Sequence, residues 1–474
     1  MHVRRRARRL WHGAGGIGEV LSVAYPLILA HMSFTVQTFV DRLFLTWYSA
    51  EAVAGAVTAQ VTTISVMALF AGTGESLTTF IAQYLGAGRP ERVGPALWQG
   101  IYFSLFAGVV VALLSPLALP LFALAGHPPV VQGYEVTFAS ILLRGAFPVV
   151  LMATLATFFA GRGRTGVVLA VNVIGTAVNC VLDALWIFGR GGFPRAGVAG
   201  AAWATITSQT LGAAILLVLV LRPQYRRAYA TLSGWRFEPA LFLRLLRFGL
   251  PSGLQYSLEV LSFAFFLMMV GRLGTAPLAA SGIAFNLNMI VFMPMLGLGV
   301  AVSSLVGRYL GSERADLAAR ATWSALWISF GYMVACCALY LLAPRALLVP
   351  YAAGADPGAF VAVQRITVVL LRFVAFYTFF DMMNVIFAGA LRGAGDTVYP
   401  LAITVVLSWG AMLVPAYVLC LVGGAGINVA WTALSAYVVL LGLLMRRRFL
   451  AGRWRSLRVI EPPLPELEGT AAGA

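Results

Sequence analysis

The sequence predicts an all-α integral membrane protein with twelve transmembrane helices, built as two six-helix repeats. Three observations carry that prediction. Of its 474 residues, 60% are hydrophobic and only 11% charged, with a mean hydropathy of +0.88; soluble domains hold about 25% charged residues. The apolar residues gather in runs of about 20 or more, the length a helix needs to cross a bilayer. The chain also repeats itself at a fixed spacing. Such a composition excludes a water-soluble or disordered protein.

Reading along the chain, helices are expected at 20–47, 53–84, 94–124, 133–160, 166–189 and 197–221. A second set follows at 242–271, 277–308, 319–343, 359–390, 398–421 and 426–447. Stretches such as 93–134, 273–307 and 397–445 contain no Asp, Glu or Arg, and the last divides at Gly423-Gly424. Pro26, Pro148, Pro251, Pro294 and Pro415 fall inside spans, where a missing N–H and a crowded ring bend a helix.

Charge sets the topology. All 33 basic residues are arginine. Counting alternate connections, 25 arginines share the side of the N-terminus, whereas only Arg42, Arg190, Arg195, Arg272, Arg345 and Arg365 occupy the other. Cytoplasmic loops attract positive charge, so both ends are expected in the cytoplasm of an inner-membrane protein. A pI near 10.3 therefore reflects topology and not nucleic-acid binding. The basic start MHVRRRARRLWHG lacks a cleavage site after its first apolar run, and no signal peptide is expected. Cys180, Cys336, Cys337 and Cys420 lie in apolar runs without metal-ligand spacing and are expected to be buried.

The repeat is read from matched residues. Pro26 and Pro251 are 225 apart, as are Tyr84-Leu85-Gly86 and Tyr309-Leu310-Gly311. Phe159-Ala160-Gly161 and Phe387-Ala388-Gly389 are 228 apart, and so are Arg144 and Arg372, and Trp203 and Trp431. Six spans per repeat make the two halves parallel, related by an axis along the membrane normal. The expected organisation is a basic cytoplasmic N-terminus (1–19), a first bundle (20–221), a basic cytoplasmic linker (222–241), a second bundle (242–447) and a cytoplasmic tail (448–474).

Five acids lie inside spans, where each costs at least about 2.5 kcal/mol on insertion scales: Asp41, Glu75, Asp183, Glu259 and Asp381. None has an acid at its repeat-related position, so the fold does not need these charges as scaffold. Depth sorts four of them. Asp41 and Asp183 each precede the outer end of their span by seven residues, roughly 10 Å at 1.5 Å per residue. Glu259 and Asp381 both lie roughly 17 Å above the cytoplasmic side on the same measure. Glu75 has no acid at its depth. Two facing carboxylates in low dielectric cannot both stay charged without a proton or a metal ion between them, which makes a coupling switch. Asn179, one turn from Asp183, offers a neutral oxygen to Na⁺, and Tyr377, one turn from Asp381, offers a hydrogen bond.

Other features are structural or undecided. His31 and the methionine pairs 268–269 and 382–383 are expected to pack, Gln37 to face a substrate cavity or pack, and Arg144 and Arg372 to serve packing or gating. FAGRGRTG and LRGAGDT lack the Lys-Ser/Thr of a phosphate loop and read as turns. No catalytic constellation is present, so an enzyme is not expected.

At NCVLDALWIFGRGGFPRAGVAGAAWAT (179–205), the LRGAGDT and YLGAG turns and the Asp of TFVDRLF, the chain resembles the multidrug and toxic compound extrusion (MATE) family. The likeness covers roughly 20–447. It implies two six-helix bundles in a V and secondary active export driven by Na⁺ or H⁺. It carries a cation or proton site to Asp41, Asn179 and Asp183, which would hold the metal in a sodium-coupled member. It carries an alternative set to Glu259, Tyr377 and Asp381. Ala184 after Asp183 and Glu75 depart from the family pattern. The expected function is antiport of amphipathic, cationic organic compounds against Na⁺ or H⁺, with Gln37, Glu259 and Asp381 as weaker substrate-binding candidates. No cofactor, no nucleic acid, contact with membrane lipid and a monomeric state complete the expectation. The alternatives are a lipid-linked saccharide flippase, which needs cationic residues in its cavity, and a passive channel or membrane scaffold, which needs no coupling.

Overall fold

The computed structural model of the chain describes residues 11, 13–352 and 357–462, and these are helical, with no strand among them. The arginines of the basic start, Arg4 to Arg9, and the last twelve residues of the tail lie outside the described residues. The first six spans are α1 (Ile17–Tyr48), α2 (Ala50–Gly86), α3 (Pro90–Ala125), α4 (Pro129–Arg144 with Ala146–Ala160), α5 (Thr165–Trp186) and α6 (Gly197–Val220). The second six are α7 (Pro239–Gly271), α8 (Thr275–Gly311), α9 (Ala315–Leu342), α10 (Pro357–Ala394), α11 (Val398–Val422) and α12 (Ile427–Leu450). All are long and apolar enough to cross a membrane, α4 counting as one bent span.

Two of the proline-bearing spans break their regular helical ladder, as the prolines at 148 and 415 predict. The halves of α4 meet at 50° around Gly145. Pro148 withholds the amide that would bond the Arg144 carbonyl, and Ile206 of α6 packs so close that a Cβ on Gly145 would stand 2.1 Å from it. In α11 the backbone opens into π-helix at Ser408–Leu413 and again at Tyr417–Val422. Pro415 sits between the two wide turns and frees the Ala411 carbonyl, so the ladder rearranges around it.

The two bundles meet through α1 against α8 and α2 against α7. Glycines make the meeting possible. A Cβ on Gly253 would lie 1.9 Å from the Leu69 carbonyl oxygen, and one on Gly72 would lie 3.0 Å from the Gly253 Cα. Adding 225 to Gly72 and subtracting it from Gly253 gives Gly297 and Ile28, which also meet closely: a Cβ on Gly297 would lie 2.7 Å from the Ile28 amide nitrogen. Likewise a Cβ on Gly86 would stand 2.0 Å from the Arg308 carbonyl oxygen, and one on Gly311 would stand 2.2 Å from that of Gln83. Residue i meets j while the mate of j meets the mate of i, the signature of a two-fold interface. The symmetry is not total: Trp431 is fully buried and donates to Ser281 Oγ at 3.0 Å, whereas its mate Trp203 is half exposed.

Among the described residues, the side-chain hydrogen bonds between bundles run from mid-helix to the face that carries both ends of the chain. Ser257 donates to the Ser65 carbonyl (2.6 Å), Thr79 to that of Arg392 (3.1 Å), Gln83 to that of Gly393 (3.1 Å) and Ser304 to that of Ala160 (2.8 Å). The opposite halves carry no such crossing among the described residues, so the V opens away from the termini. Both termini fasten the closed face. Glu461 in the tail accepts from Tyr84 (2.7 Å), Arg89 (2.8 Å), Arg92 (3.1 Å) and Arg244 (2.6 Å), and so ties the first bundle to α7. Glu19 accepts from Tyr309, the repeat mate of Tyr84, and from the Gly15 amide.

Candidate cation sites inside the two bundles

In the first bundle, α5 runs parallel to α1 in a register that two hydroxyls fix. Thr165 donates to the Val23 carbonyl (2.9 Å) and Thr176 to that of Ser33 (3.3 Å). These pairs are 142 and 143 residues apart, and the same step carries Asp41 to Asp183. The two carboxyls are in direct interaction. Asn179, one turn before Asp183, is fully buried between them. With its amide turned to satisfy its neighbours, its nitrogen donates to Asp41 Oδ1 (2.8 Å) and Asp183 Oδ2 (3.3 Å), and its oxygen accepts from the Thr205 amide of α6 (3.3 Å).

Asn179 thus meets the two carboxylates through its amide nitrogen, while its oxygen faces the Thr205 end of the motif that the sequence singled out. Asp183 Oδ1 is buried and has no hydrogen-bond partner. A buried anionic oxygen left bare is expensive, and a proton or a small cation supplies what it lacks. Among the described residues no three His, Cys, Asp or Glu side chains converge on one point, so a metal ion here would rest on the two carboxylates and neutral oxygens. Arg42 is exposed and does not close over the pair.

In the second bundle, Glu259 of α7 and Asp381 of α10 share one electrostatic neighbourhood. Tyr377, one turn before Asp381, is buried and feels its charge. The depth-matched acids of the first bundle are thus in direct contact, and those of the second act on each other electrostatically.

Arg392 was missed. The sequence assigns it to a connection, but α10 continues to Ala394 and keeps Arg392 helical. Helical side chains lean toward the N-terminal end of their helix, which for α10 is toward the interior, and the guanidinium interacts with both Glu259 and Glu75. Glu75 is thus not isolated. It is exposed, one turn from the Thr79 that bonds the Arg392 carbonyl, and it shares Tyr256 with Glu259. A charge in this region shows in the sequence only if the helix is drawn four residues longer than its apolar run.

The remaining candidates separate. Gln37 is buried, His31 half-buried. Met268 is 68% exposed, so that half of its pair lies outside the core, while Met382 is buried. Cys337 and Cys420 are buried, but Cys180 and Cys336 only partly so, since their helix faces are not fully covered. Arg144 is exposed beside the α4 bend and donates to Ser115 Oγ at 3.3 Å; Arg372 is exposed.

A two-bundle helical membrane protein with paired interior carboxylates is the architecture of a membrane transporter. The MatE family model matches residues 26–185 and 251–418, one stretch in each half, and the chain belongs to that family of multidrug and toxic compound extrusion transporters. It is 30% identical to the probable multidrug resistance protein NorM of Pseudomonas putida over 92% of this chain and 95% of that one. It is 27% identical to the Thermotoga maritima protein of the same name over 93% and 94%. Among solved structures, an outward-facing MATE family transporter superposes with a TM-score of 0.84 at 21% identity, covering 94% of this chain and 98% of the other.

Proposed function

We propose that the protein is a secondary active exporter of amphipathic organic cations, exchanging them for Na⁺ or H⁺ by alternating access. The observation that carries this reading is the Asp41–Asn179–Asp183 cluster, in which one carboxylate oxygen is buried without a partner. An ion entering from the open side fills that valence and favours the arrangement that closes around it. By linkage, the same ion weakens binding of a substrate that prefers the other arrangement. Glu259 and Asp381, with Tyr377, form a second group able to take up charge. The multidrug resistance names of the relatives support small organic compounds as cargo.

In this reading residues 20–221 and 242–447 are the two moving bundles, joined by the 222–241 linker. The arginine asymmetry supports both ends in the cytoplasm and an inner-membrane site, so the open side faces outward. The protein acts as a monomer in lipid and is not an enzyme. A saccharide flippase would need a free cationic lining, and Arg392, an arginine turned inward, lies in the electrostatic field of Glu259 and Glu75. The test is efflux of a fluorescent organic cation from proteoliposomes under separate Na⁺ and pH gradients. Asp41→Asn and Asp183→Asn abolish coupled efflux; transport at the parent rate by both refutes the proposal.

A further inference from the structure

The two repeats cover one face of their third helix differently. In the first bundle, Pro95, Trp98, Gln99 and Tyr102 of α3 lie under the linker. Trp98 donates to the Thr231 carbonyl (2.8 Å) and Gln99 to that of Arg236 (3.2 Å), and a Cβ on Gly234 would stand 2.6 Å from Pro95 Cδ. Adding 225 gives Arg320, Trp323, Ser324 and Trp327 of α9, whose i, i+3, i+4, i+7 spacing puts them on one face of the helix. There Ser324 donates to the Gly15 carbonyl (2.9 Å), as Gln99 does to the linker. Beside that bond, however, lies a cavity of about 240 Å³ lined by these four residues and Ile17 of α1.

The lining is ordered by depth. Arg320 stands in the second turn of α9, near the closed face that carries both chain ends, and Trp327 lies about 10 Å further along the helix. Trp327 is 64% exposed, while the Trp323 ring packs inward against Phe387 at 5.8 Å. No acid lines the cavity. A cation at the level of the headgroups with indoles beneath it suits a phospholipid: the guanidinium pairs with phosphate, and the aromatic walls take an acyl chain. The fold does not require the charge, since the first bundle has Pro95 in its place. Nor is the chain's own start a fitting cover. The stretch that corresponds to the linker cover, 6–11, holds Arg6, Arg8 and Arg9, and Arg9 is the mate of Gly234. Where the first bundle sets glycine on proline, the second would set arginine on arginine, and like charges repel.

We propose that this cavity binds an anionic phospholipid, phosphatidylglycerol in the first instance, with its phosphate on Arg320 and one acyl chain among Trp323, Trp327 and Ile17. In the topology proposed above, the closed face meets the inner leaflet, and basic pockets between helices on that side take anionic headgroups. The site borders the turn where Gly15 rests on α9 and donates its amide to the Tyr309 hydroxyl (3.0 Å). The lipid therefore sits where the start of the first bundle is held by the second.

The test uses the purified full chain in phosphatidylcholine vesicles containing graded phosphatidylglycerol brominated on its acyl chains, which quenches indole fluorescence on contact. The part of the quenching that Trp327→Phe removes saturates with phosphatidylglycerol in the parent. Arg320→Gln raises the half-saturating phosphatidylglycerol fraction about fivefold, and Arg320→Lys stays within about twofold of the parent. Arg314→Gln, which alters an exposed arginine paired with Asp316, titrates like the parent. Equal titrations of parent and Arg320→Gln overturn the inference and leave the cavity to residues 1–10. Displacement of the lipid by inorganic phosphate makes the ligand a soluble anion and also overturns it. If Arg320→Gln melts lower than the parent in phosphatidylcholine alone, the parent decides by itself: stronger quenching of Trp327 by brominated phosphatidylglycerol than by brominated phosphatidylcholine upholds the site, and equal quenching refutes it.

Discussion

Replacing Glu461 by Gln removes one negative charge from the clasp across the closed face. The carboxylate accepts from three arginines and a tyrosine while its side chain is 22% exposed. Charged contacts at partial exposure contribute about 0.5–1 kcal/mol each. Glutamine keeps one acceptor and the bond from the Tyr84 hydroxyl, so the loss is about 2 kcal/mol. At 1.4 kcal/mol per tenfold, the closed-to-open ratio of this face falls about 30-fold. The assay is a distance distribution between spin labels at Glu91 and Ser312, exposed on the two bundles, after the four native cysteines are replaced. The variant gains a longer-distance population that the parent lacks. The same carboxyl gives a pH signature. Burial acts to raise it, but the Tyr84 hydroxyl with Arg92 and Arg89 outweighs burial and holds it below its ordinary 4.5. A depressed value means the stabilisation is complete above 4.5 and lost as pH falls through the lowered value. The parent opens as it is acidified through that window, and Glu461→Gln does not respond. Identical distributions for parent and variant at neutral pH refute the clasp.

Four further outcomes are expected. Gly253→Val places carbon against the Leu69 carbonyl and destabilises the closed face by about 1–3 kcal/mol, read as a lower melting temperature and a wider label distance. Asn179→Ala leaves Asp41 and Asp183 without their shared donor and lowers coupling-ion affinity about 10- to 100-fold, measured as the half-saturating ion concentration for efflux. Arg448→Ala strands Asp396, which is 6% exposed and held at 2.7 Å, and costs about 3 kcal/mol by denaturation in detergent. Arg314→Ala removes an exposed pair with Asp316 and leaves the melting temperature unchanged.

Much of the architecture was legible because the membrane enforces it. Apolar run length located the helices, and the 225-residue offset anticipated the reciprocal contacts of Gly86 and Gly311. Depth counting paired Asp41 with Asp183 because both helices run straight to the same surface. Rotation about a helix axis is not encoded that way. The orientation of the Asn179 amide depends on the Thr205 amide, a contact from another helix that the sequence does not display. Tyr437 carries no local signal: an isolated tyrosine in an apolar run looks like packing until α12 brings it within the electrostatic reach of Glu259 and Asp381. Arg392 was misread because a charge ends an apolar run even where the helix continues, and Glu461 because nothing in a proline-bordered tail predicts what it will grip.

The tyrosines at 84 and 309 are copies of each other, yet each is held by a glutamate from a different end of the polypeptide. One grip is reinforced by three guanidinium groups; the other leans on a single main-chain amide. A chain shortened past Glu461, or past Glu19, would therefore lose a fastener rather than an ornament, and the two deletions would loosen opposite flanks of the same seam by unequal amounts.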